Sequence, residues 1–445
     1  MKVLILLPRA KPRSLLDDSL LFALARAEAL AEMGHRADLV SPEGRGGAWE
    51  TLGKKIVQAG LPRLGEWTRR GARGRAAFRR KHKEEKYDLA EVVWGGGMEL
   101  FLPCLEGIPF TARFSGPLLE EPGRTSDTLD RELIRFLERI AGRELAGFTA
   151  GSARLAGRVR ERLRVSCLYW VVHPGVKIEK YPESGNPPSS PGQGQVLCLL
   201  GGEEEEKGRF LADLVGPLLE ERKDLSFRVL AGRADSPAAR VVEEALGGPD
   251  PAPGAFRLEE APGEEALPGL LKECRAFLVP SFGEGGLYAL LCAMASGKPV
   301  LVPESPWIYE YVRPEIDGLV LPGGKVEAFR RGLERILDDG KRAAALGKNA
   351  RGRVEARFRV QETARTSLAF WVHAASLRGR GGPSREGLPL GPGNWFQAWW
   401  AGGGPKVSHS LEKGPGGKAL LAELSLEELG FLERFLSRAW WEQGG

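Results

Sequence analysis

The sequence predicts an α/β protein of two doubly wound parallel-sheet halves facing one another across a cleft, with an extension after them. Three observations carry that expectation. Short apolar runs alternate with helix-period segments from Val3 to Val172, and the alternation starts again at Val196. Between the two runs, residues 182–195 (PESGNPPSSPGQGQ) have the composition of a linker. Pro280–Gly297 then sets glycines and one acid between a strand end and an apolar helix, where open α/β sheets take ligands.

Taken in order, Val3–Leu7 reads as a buried strand, Leu15–Met33 as a helix stopped by Gly34-His35, and Ala37–Val40 as the next strand. Asp88–Trp94 and Pro109–Phe114 follow as strands, and Thr128–Ala146 as a long amphipathic helix. Phe148–Ala150 and Tyr169–Val172 close the first half, residues 1–181. The second half, 196–350, opens with strand Val196–Leu200, helix Lys207–Arg222 and strand Phe227–Ala231. Helix Glu264–Glu273, strand Ala276–Val279, helix Leu287–Ala295 and strand Pro299–Val302 continue it, and Lys325–Asp338 and Lys341–Phe358 are helical. From about Gly379 the character changes: Gly and Pro surround Trp395, Phe396, Trp399 and Trp400. Ser425-Leu426-Glu427-Glu428 is a capping box opening a helix that ends at Trp440-Trp441. Those indoles are expected to dock the extension, 379–445, on the body; acceptor recognition or a partner surface are the other readings.

A chain of 445 residues exceeds what one core usually serves, so two domains and an appendage are expected. A net charge of +5 is too small to argue for nucleic acid, and no groove-reading motif accompanies it. Cys104, Cys167, Cys198, Cys274 and Cys292 are scattered and lack C-x-x-C pairing, so they read as reduced thiols of a cytosolic protein. His35, His82, His173, His373 and His409 form no ligand-spaced cluster, and no metal is expected. Nor is there a signature of covalent catalysis. The apolar run at the N-terminus is too short for a signal peptide, and no stretch reaches the ~18 apolar residues of a membrane span. Residues 54–86 carry a dense basic run that includes Arg69, Arg70, Arg79, Arg80, Lys81 and Lys83 around Trp67 and Phe78. Peripheral contact with an anionic membrane or a polyanionic acceptor, and a plain solvated basic helix or loop, both stay open.

Glu284 beside Gly285 and Gly286, just ahead of an apolar helix, lets a ligand approach backbone N–H groups, which suits a phosphorylated, hydroxyl-rich molecule. The same carboxylate also fits an N-cap favoured by the helix dipole. This loop resembles the donor-sugar loop of the retaining glycosyltransferases of family 4 (glycosyl transferases group 1). The resemblance runs through the second half. Leu199-Leu200-Gly201 followed by Glu206-Lys207-Gly208 is similar to the family's strand, glycine turn and basic phosphate contact. Phe227–Gly232 resembles the next strand and glycine, and Glu264–Ser281 the helix and strand before the donor loop. Asp317–Gly323 resembles the segment after it, with Glu310 at the acid of a P-E-V-V-like element. The first half matches more loosely, at Gly34-His35, Ile108–Phe114 and His173-Pro174-Gly175-Val176.

The resemblance implies the GT-B fold, two facing Rossmann-like domains, with the acceptor in 1–181, the donor in 196–350, and helices in 351–378 crossing back to the first domain. It implies transfer of a sugar from a nucleotide diphosphate to a glycan, lipid or other acceptor, with retention and without a metal. The nucleotide-sugar is then a substrate, and no cofactor is needed. Glu284 and Lys207 would be catalytic, Glu284 accepting hydrogen bonds from sugar hydroxyls and Lys207 stabilising the departing phosphate. The plainer reading of Lys207 is a solvated lysine beside Glu203–Glu206. Gly201, Gly202, Gly232, Arg233, Leu258, Gly285, Gly286, Leu287 and Cys292 would complete the donor side, and Arg9, Arg113 and Ser115 the acceptor or sugar side. The implied setting is cytoplasmic, free or at the inner face of the membrane, in cell-envelope glycan synthesis.

Four departures stand out. The family's second glutamate, eight positions after the first and holding the ribose, is here Cys292, which cannot accept two strong hydroxyl hydrogen bonds. Gly202 stands where a basic residue follows the phosphate turn. Arg9-Ala10-Lys11-Pro12-Arg13 replaces a glycine pair after the first strand, and Arg113-Phe114-Ser115-Gly116 stands where a histidine approaches the sugar. Arg9, Lys11, Arg13, Arg113, Arg209 or Arg233 could restore phosphate contacts, or be surface arginines. These losses keep a second reading open, a catalytically inactive GT-B-like protein that binds a sugar, a nucleotide or a partner.

Overall fold

Two six-stranded sheets, parallel throughout, make the frame of the molecule. The computed structural model describes residues 1–8, 17–42, 62–95, 108–115, 145–183, 194–202, 204–247, 255–280 and 286–377, with isolated positions between them. Residues 184–193 of the expected linker, most of the expected helix at 128–146, and the tryptophan-rich extension lie outside the described residues.

The first sheet is built from β1 (Lys2–Leu6), α1 (Asp18–Glu32), β2 (Arg36–Val40), α2 (Pro62–Glu84), β3 (Leu89–Val93), β4 (Phe110–Phe114), β5 (Gly147–Ala150), α3 (Ala153–Leu163) and β6 (Leu168–Val171), in the order β2-β1-β3-β4-β5-β6. The apolar run of β1 serves both faces. Leu4 and Leu6 pack with Ala77 and Phe78 of α2 and Ala156 and Val159 of α3, while Val3 and Ile5 pack with α1 on the other side. A strand covered on both faces needs no polar alternation, which is why it reads as a continuous apolar segment.

The second sheet follows from β7 (Gly194–Leu200), α4 (Glu205–Glu221), β8 (Leu225–Ala231), α5 (Pro237–Leu246), β9 (Phe256–Glu260), α6 (Leu267–Glu273), β10 (Cys274–Leu278), α7 (Leu287–Ala295), β11 (Val300–Pro303), β12 (Leu319–Leu321), α8 (Val326–Asp338) and α9 (Gly340–Arg357). Its order is β12-β11-β10-β7-β8-β9. Every residue of α7, LYALLCAMA, is buried, so its lack of a polar face reflects a helix enclosed by protein. After α9 the chain bridges Val176, whose N–H donates to Phe358 O at 2.9 Å and whose carbonyl accepts from Val360 N at 3.1 Å. It then continues as α10 (Val360–Leu377), whose Phe370 and Trp371 pack with Val3 and Ile5 on the first sheet.

Apart from the helices expected over 128–146 and after Ser425, which fall outside the described residues, the expected strands and helices are found within a few residues, and Leu287–Ala295 at the expected bounds. Three differences have physical causes. The single helix expected over Glu264–Glu273 is a 3-10 turn, Glu264–Ala266, followed by α6, with Pro268 in the first turn of the α-helix, where its missing N–H costs no intrahelical bond. The basic stretch left open as helix or loop is the helix α2 over its described part. Helices α3 and α5 and strand β9 are not among the expected elements. The first two carry plain start signals, Ser152 and Ser236 accepting from Leu155 N and Ala239 N, whereas β9 is an edge strand with half-exposed polar residues.

Candidate functional site at the facing sheet ends

Strand order reverses between β1 and β3 in the first sheet and between β7 and β10 in the second. Beyond the carboxyl ends of the strands at such a reversal, the connecting segments part in opposite directions and leave a crevice. In the first sheet α1 is the next described element after β1 at this point; in the second, α7 follows β10. The two helices meet across the cleft.

Their contact is specific. Asp18, in the first turn of α1, accepts three backbone hydrogen bonds from the head of α7: Oδ1 from Gly286 N at 3.1 Å and Tyr288 N at 3.0 Å, and Oδ2 from Leu287 N at 2.9 Å. Gly286 has φ +107°, and a Cβ there would meet Leu199 Cδ2 at 2.9 Å, so only glycine allows this turn. Having no side chain, Gly286 cannot cap α7 itself. Asp18 is 8% exposed, and burial pushes its carboxyl up to about 6, the three N–H donors opposing but not cancelling the lost hydration. One turn along α1, the Phe22 ring packs edge-on against Tyr288 with centroids 5.1 Å apart.

At the end of β7, Gly202 turns with φ +92°, and the Lys207 ammonium lies over it, in the space a Cβ would need. Lys207 Nζ pairs with Glu204 at 2.8 Å, so the lysine sits at the sheet end with its charge held by one acid. Gly201 is buried behind it. Leu287 and Gly286 are in the crevice wall just described, but Glu284 and Gly285 lie outside the described residues.

Cys292, expected on the donor side, does not lie on an open surface. Cys292 is fully buried against the Tyr181 and Tyr288 hydroxyls, and burial raises its thiol well above the ordinary range. Tyr288 Oη donates to Glu264 at 2.6 Å, and Lys180 Nζ reaches the same carboxylate at 3.1 Å. Gly232 follows β8, and Arg233 beside it is exposed and paired with Asp235 at 2.8 Å. Leu258 is half-buried on β9 against the outer core.

On the first-domain side Arg113 is buried, donating to Thr149 Oγ1 at 3.3 Å; burial and the neighbouring Arg26 lower it to about 10. Ser115 Oγ is buried without a hydrogen-bond partner among the described residues, and Arg9 lies outside them. Below this, Arg26 of α1 is locked by Glu91 of β3, which also accepts from Trp371 Nε1 of α10 at 2.9 Å. The helix carrying Asp18 is therefore fixed to the first sheet.

A second crossing runs the other way. Glu310 accepts from Ala153 N at the head of α3 through both oxygens at 3.1 Å and faces His173 Nε2 at 3.0 Å. Tyr311 Oη donates to Gly151 O at 2.5 Å. Sequence reasoning placed Glu310 and His173 as landmarks but missed Asp18 and Tyr311. An acid in the first turn of a helix looks like an answer to that helix's own dipole, and nothing local marks a partner 268 to 270 residues away. Among the described residues no three His, Cys, Asp or Glu side chains stand together as a metal site, and no helix is long and apolar enough to cross a membrane.

Residues 258–353, from β9 through most of α9, match the family model of glycosyl transferases group 1. The D-inositol 3-phosphate glycosyltransferase of Streptomyces griseus is 25% identical over 209 residues, 40% of this chain and 43% of that protein. The UDP-Gal:alpha-D-GlcNAc-diphosphoundecaprenol alpha-1,3-galactosyltransferase of Escherichia coli is 30% identical over 94 residues, 21% of this chain and 24% of that one. The chain thus matches less than half the length of either relative. Among solved structures, sucrose-phosphate synthase from Thermosynechococcus elongatus superposes with a TM-score of 0.64 at 17% identity, covering 85% of this chain and all of that one. Anabaena HepE in complex with UDP-glucose gives 0.56 at 15% identity, covering 84% and 100%. With its two parallel sheets and their flanking helices, the protein has the GT-B fold.

Proposed function

We propose that this protein is a glycosyltransferase that moves a sugar from a nucleotide-diphosphate donor to a glycan, lipid or other acceptor, with retention and without a metal. The observation that carries the reading is the facing pair of sheet reversals, with the N-terminus of α7 and Lys207 on one wall. The match of residues 258–353 to the glycosyl transferases group 1 model supports it, because that stretch contains α7 and the segment leading into it.

Sugar transfer of this kind develops negative charge on the leaving diphosphate while the anomeric carbon becomes cationic. Groups that meet the new charge lower the barrier. Lys207 would exchange Glu204 for a phosphate oxygen, and the α7 N–H groups would add the positive end of a helix. Glu284 would take the sugar hydroxyls, and closure of the two domains would exclude water from the activated sugar. We place the reaction in the cytoplasm. The exposed Arg63, Arg79, Arg80 and Lys83 of α2 support attraction to an anionic membrane surface or acceptor.

The test is a donor-hydrolysis and thermal-shift screen across UDP-, GDP-, ADP- and dTDP-sugars, run with and without EDTA. Turnover with one donor is expected, with Lys207→Ala lowering kcat by about 10²–10³-fold on the scale of a lost charge-stabilising donor. Absence of both turnover and nucleotide-dependent stabilisation would sink the enzyme reading and return the non-catalytic one.

A further inference from the structure

We propose that Asp18 and Phe22 of α1 act as a clasp on the head of α7, holding the cleft shut until the two domains move apart. The four leading N–H groups of any helix need partners from outside it. In α7 three consecutive donors, Gly286, Leu287 and Tyr288, all go to one carboxylate of the other domain. Because the residue at the cap position is a glycine in the left-handed region, it brings no side chain of its own to stand in for that carboxylate.

Phe22 makes the contact two-point. It lies one turn from Asp18 on the same side of α1, and residues four apart on a helix are neighbours. Leu21 and Phe22 belong to the same buried cluster as Tyr288, Leu291 and Cys292, so a first-domain helix contributes to the apolar core of the second domain. One turn beyond Phe22, α1 is anchored: Arg26 pairs with Glu91, stacks on the Trp371 ring at 5.1 Å and donates to Ser367 at 3.3 Å. Releasing the clasp therefore requires the whole first domain to withdraw, breaking the Tyr311–Gly151 and Glu310–Ala153 contacts with it.

The consequence is a gate. In the described state the N–H groups of α7 face a resident carboxylate and an aromatic ring, and a ligand entering the cleft has to displace both. The geometry of the clasp stands independently of what that ligand is; only its identity as a nucleotide-sugar rests on the function proposed above.

Hydrogen exchange read by mass spectrometry on the full ligand-free chain tests it. In the parent, peptides covering 286–290 are expected to exchange slowly. Asp18→Ala should speed them at least tenfold while α5 and α10 peptides keep their parent rates, and small-angle scattering should report a larger radius of gyration. Phe22→Ala, which keeps the carboxylate, should give a smaller acceleration, and it serves as the second variant should Asp18→Ala fail to fold. The clasp is refuted if the parent peptide already exchanges like an uncapped helix end, or if neither variant changes its rate. Because no sugar donor is used, a chain inactive toward every nucleotide-sugar could pass this test, and an active one could fail it.

Discussion

Two carboxylates cross the cleft in opposite directions, and they do unequal work. Asp18 leaves the first domain to cap α7, and Glu310 leaves the second to reach the head of α3. Helix α3 already has Ser152, whose hydroxyl accepts from Leu155 N at 3.1 Å, so Glu310 supplements a local cap. Helix α7 begins at a glycine, so its cap is imported. Asp18 is buried, while the Glu310 side chain is 24% exposed and shared with His173. At the α3 end the helix would survive domain separation nearly intact. At the α7 end, capping and domain closure are the same event.

The pH response separates the two ends most sharply. Asp18 titrates near 3.8 when unfolded and near 6 when folded, because burial disfavours its charged form. The folded protein therefore holds more protons across that window, so the stability this group contributes is complete below about 3.8 and is lost as pH rises through about 6. The full span is roughly 3 kcal/mol, since each tenfold change in proton affinity is worth ~1.4 kcal/mol. The groups facing the carboxylate are Asp17 beside it, Tyr288 and Cys292 on α7, and Tyr311; none of these gains positive charge in this range. Denaturant unfolding of the parent and of Asp18→Asn at pH 4.5 and 7.5 should show the parent alone gaining stability on acidification from this source, by about 2 kcal/mol relative to the variant. Equal slopes would mean that the carboxylate is solvated and the two crossings are alike.

A middle-sized effect is expected at the local cap. Removing the Ser152 hydroxyl leaves Leu155 N without its acceptor, and losses of this kind cost about 1 kcal/mol. Since Glu310 serves a different N–H, Ala153, the Ser152→Ala cost should add to that of a Glu310 variant. A double variant that costs no more than Ser152→Ala alone would show that α3 depends on one cap at a time.

How much of this is legible in the sequence follows the same division. The bounds of α7 and the alternation of strands and helices are local facts, written as periodicity and burial on both faces, whereas Gly202, read only as a missing basic residue, takes the positive-φ turn at the end of β7. Lys207 and Glu310 stand out because the chain around them resembles a known arrangement. Asp18 escapes notice because its meaning lies in a helix distant in sequence. Cys292 reads as a degraded contact, and the structure adds that two tyrosine hydroxyls and a core helix enclose it. Sequence carries the walls of the cleft well, and carries poorly what joins one wall to the other.

The smallest expected effect lies in the Glu310–His173 pair. Burial lowers the His173 pKa below its ordinary 6.5, and the hydrogen bond and charge of Glu310 pull it part of the way back. A lowered histidine binds fewer protons folded than unfolded, so its contribution to stability is present above about 6.5 and fades as pH falls through the folded value. Glu310→Gln keeps a similar shape and one acceptor oxygen for Ala153 N but removes the charge. It should cost about 0.5 kcal/mol as a weakened dipole contact at the head of α3. It should also lower the His173 pKa further, which imidazole resonances followed through a pH titration would register directly. An unchanged His173 titration would mean that the pair does not form in solution, leaving Asp18 as the carboxylate that ties the two domains together at this cleft.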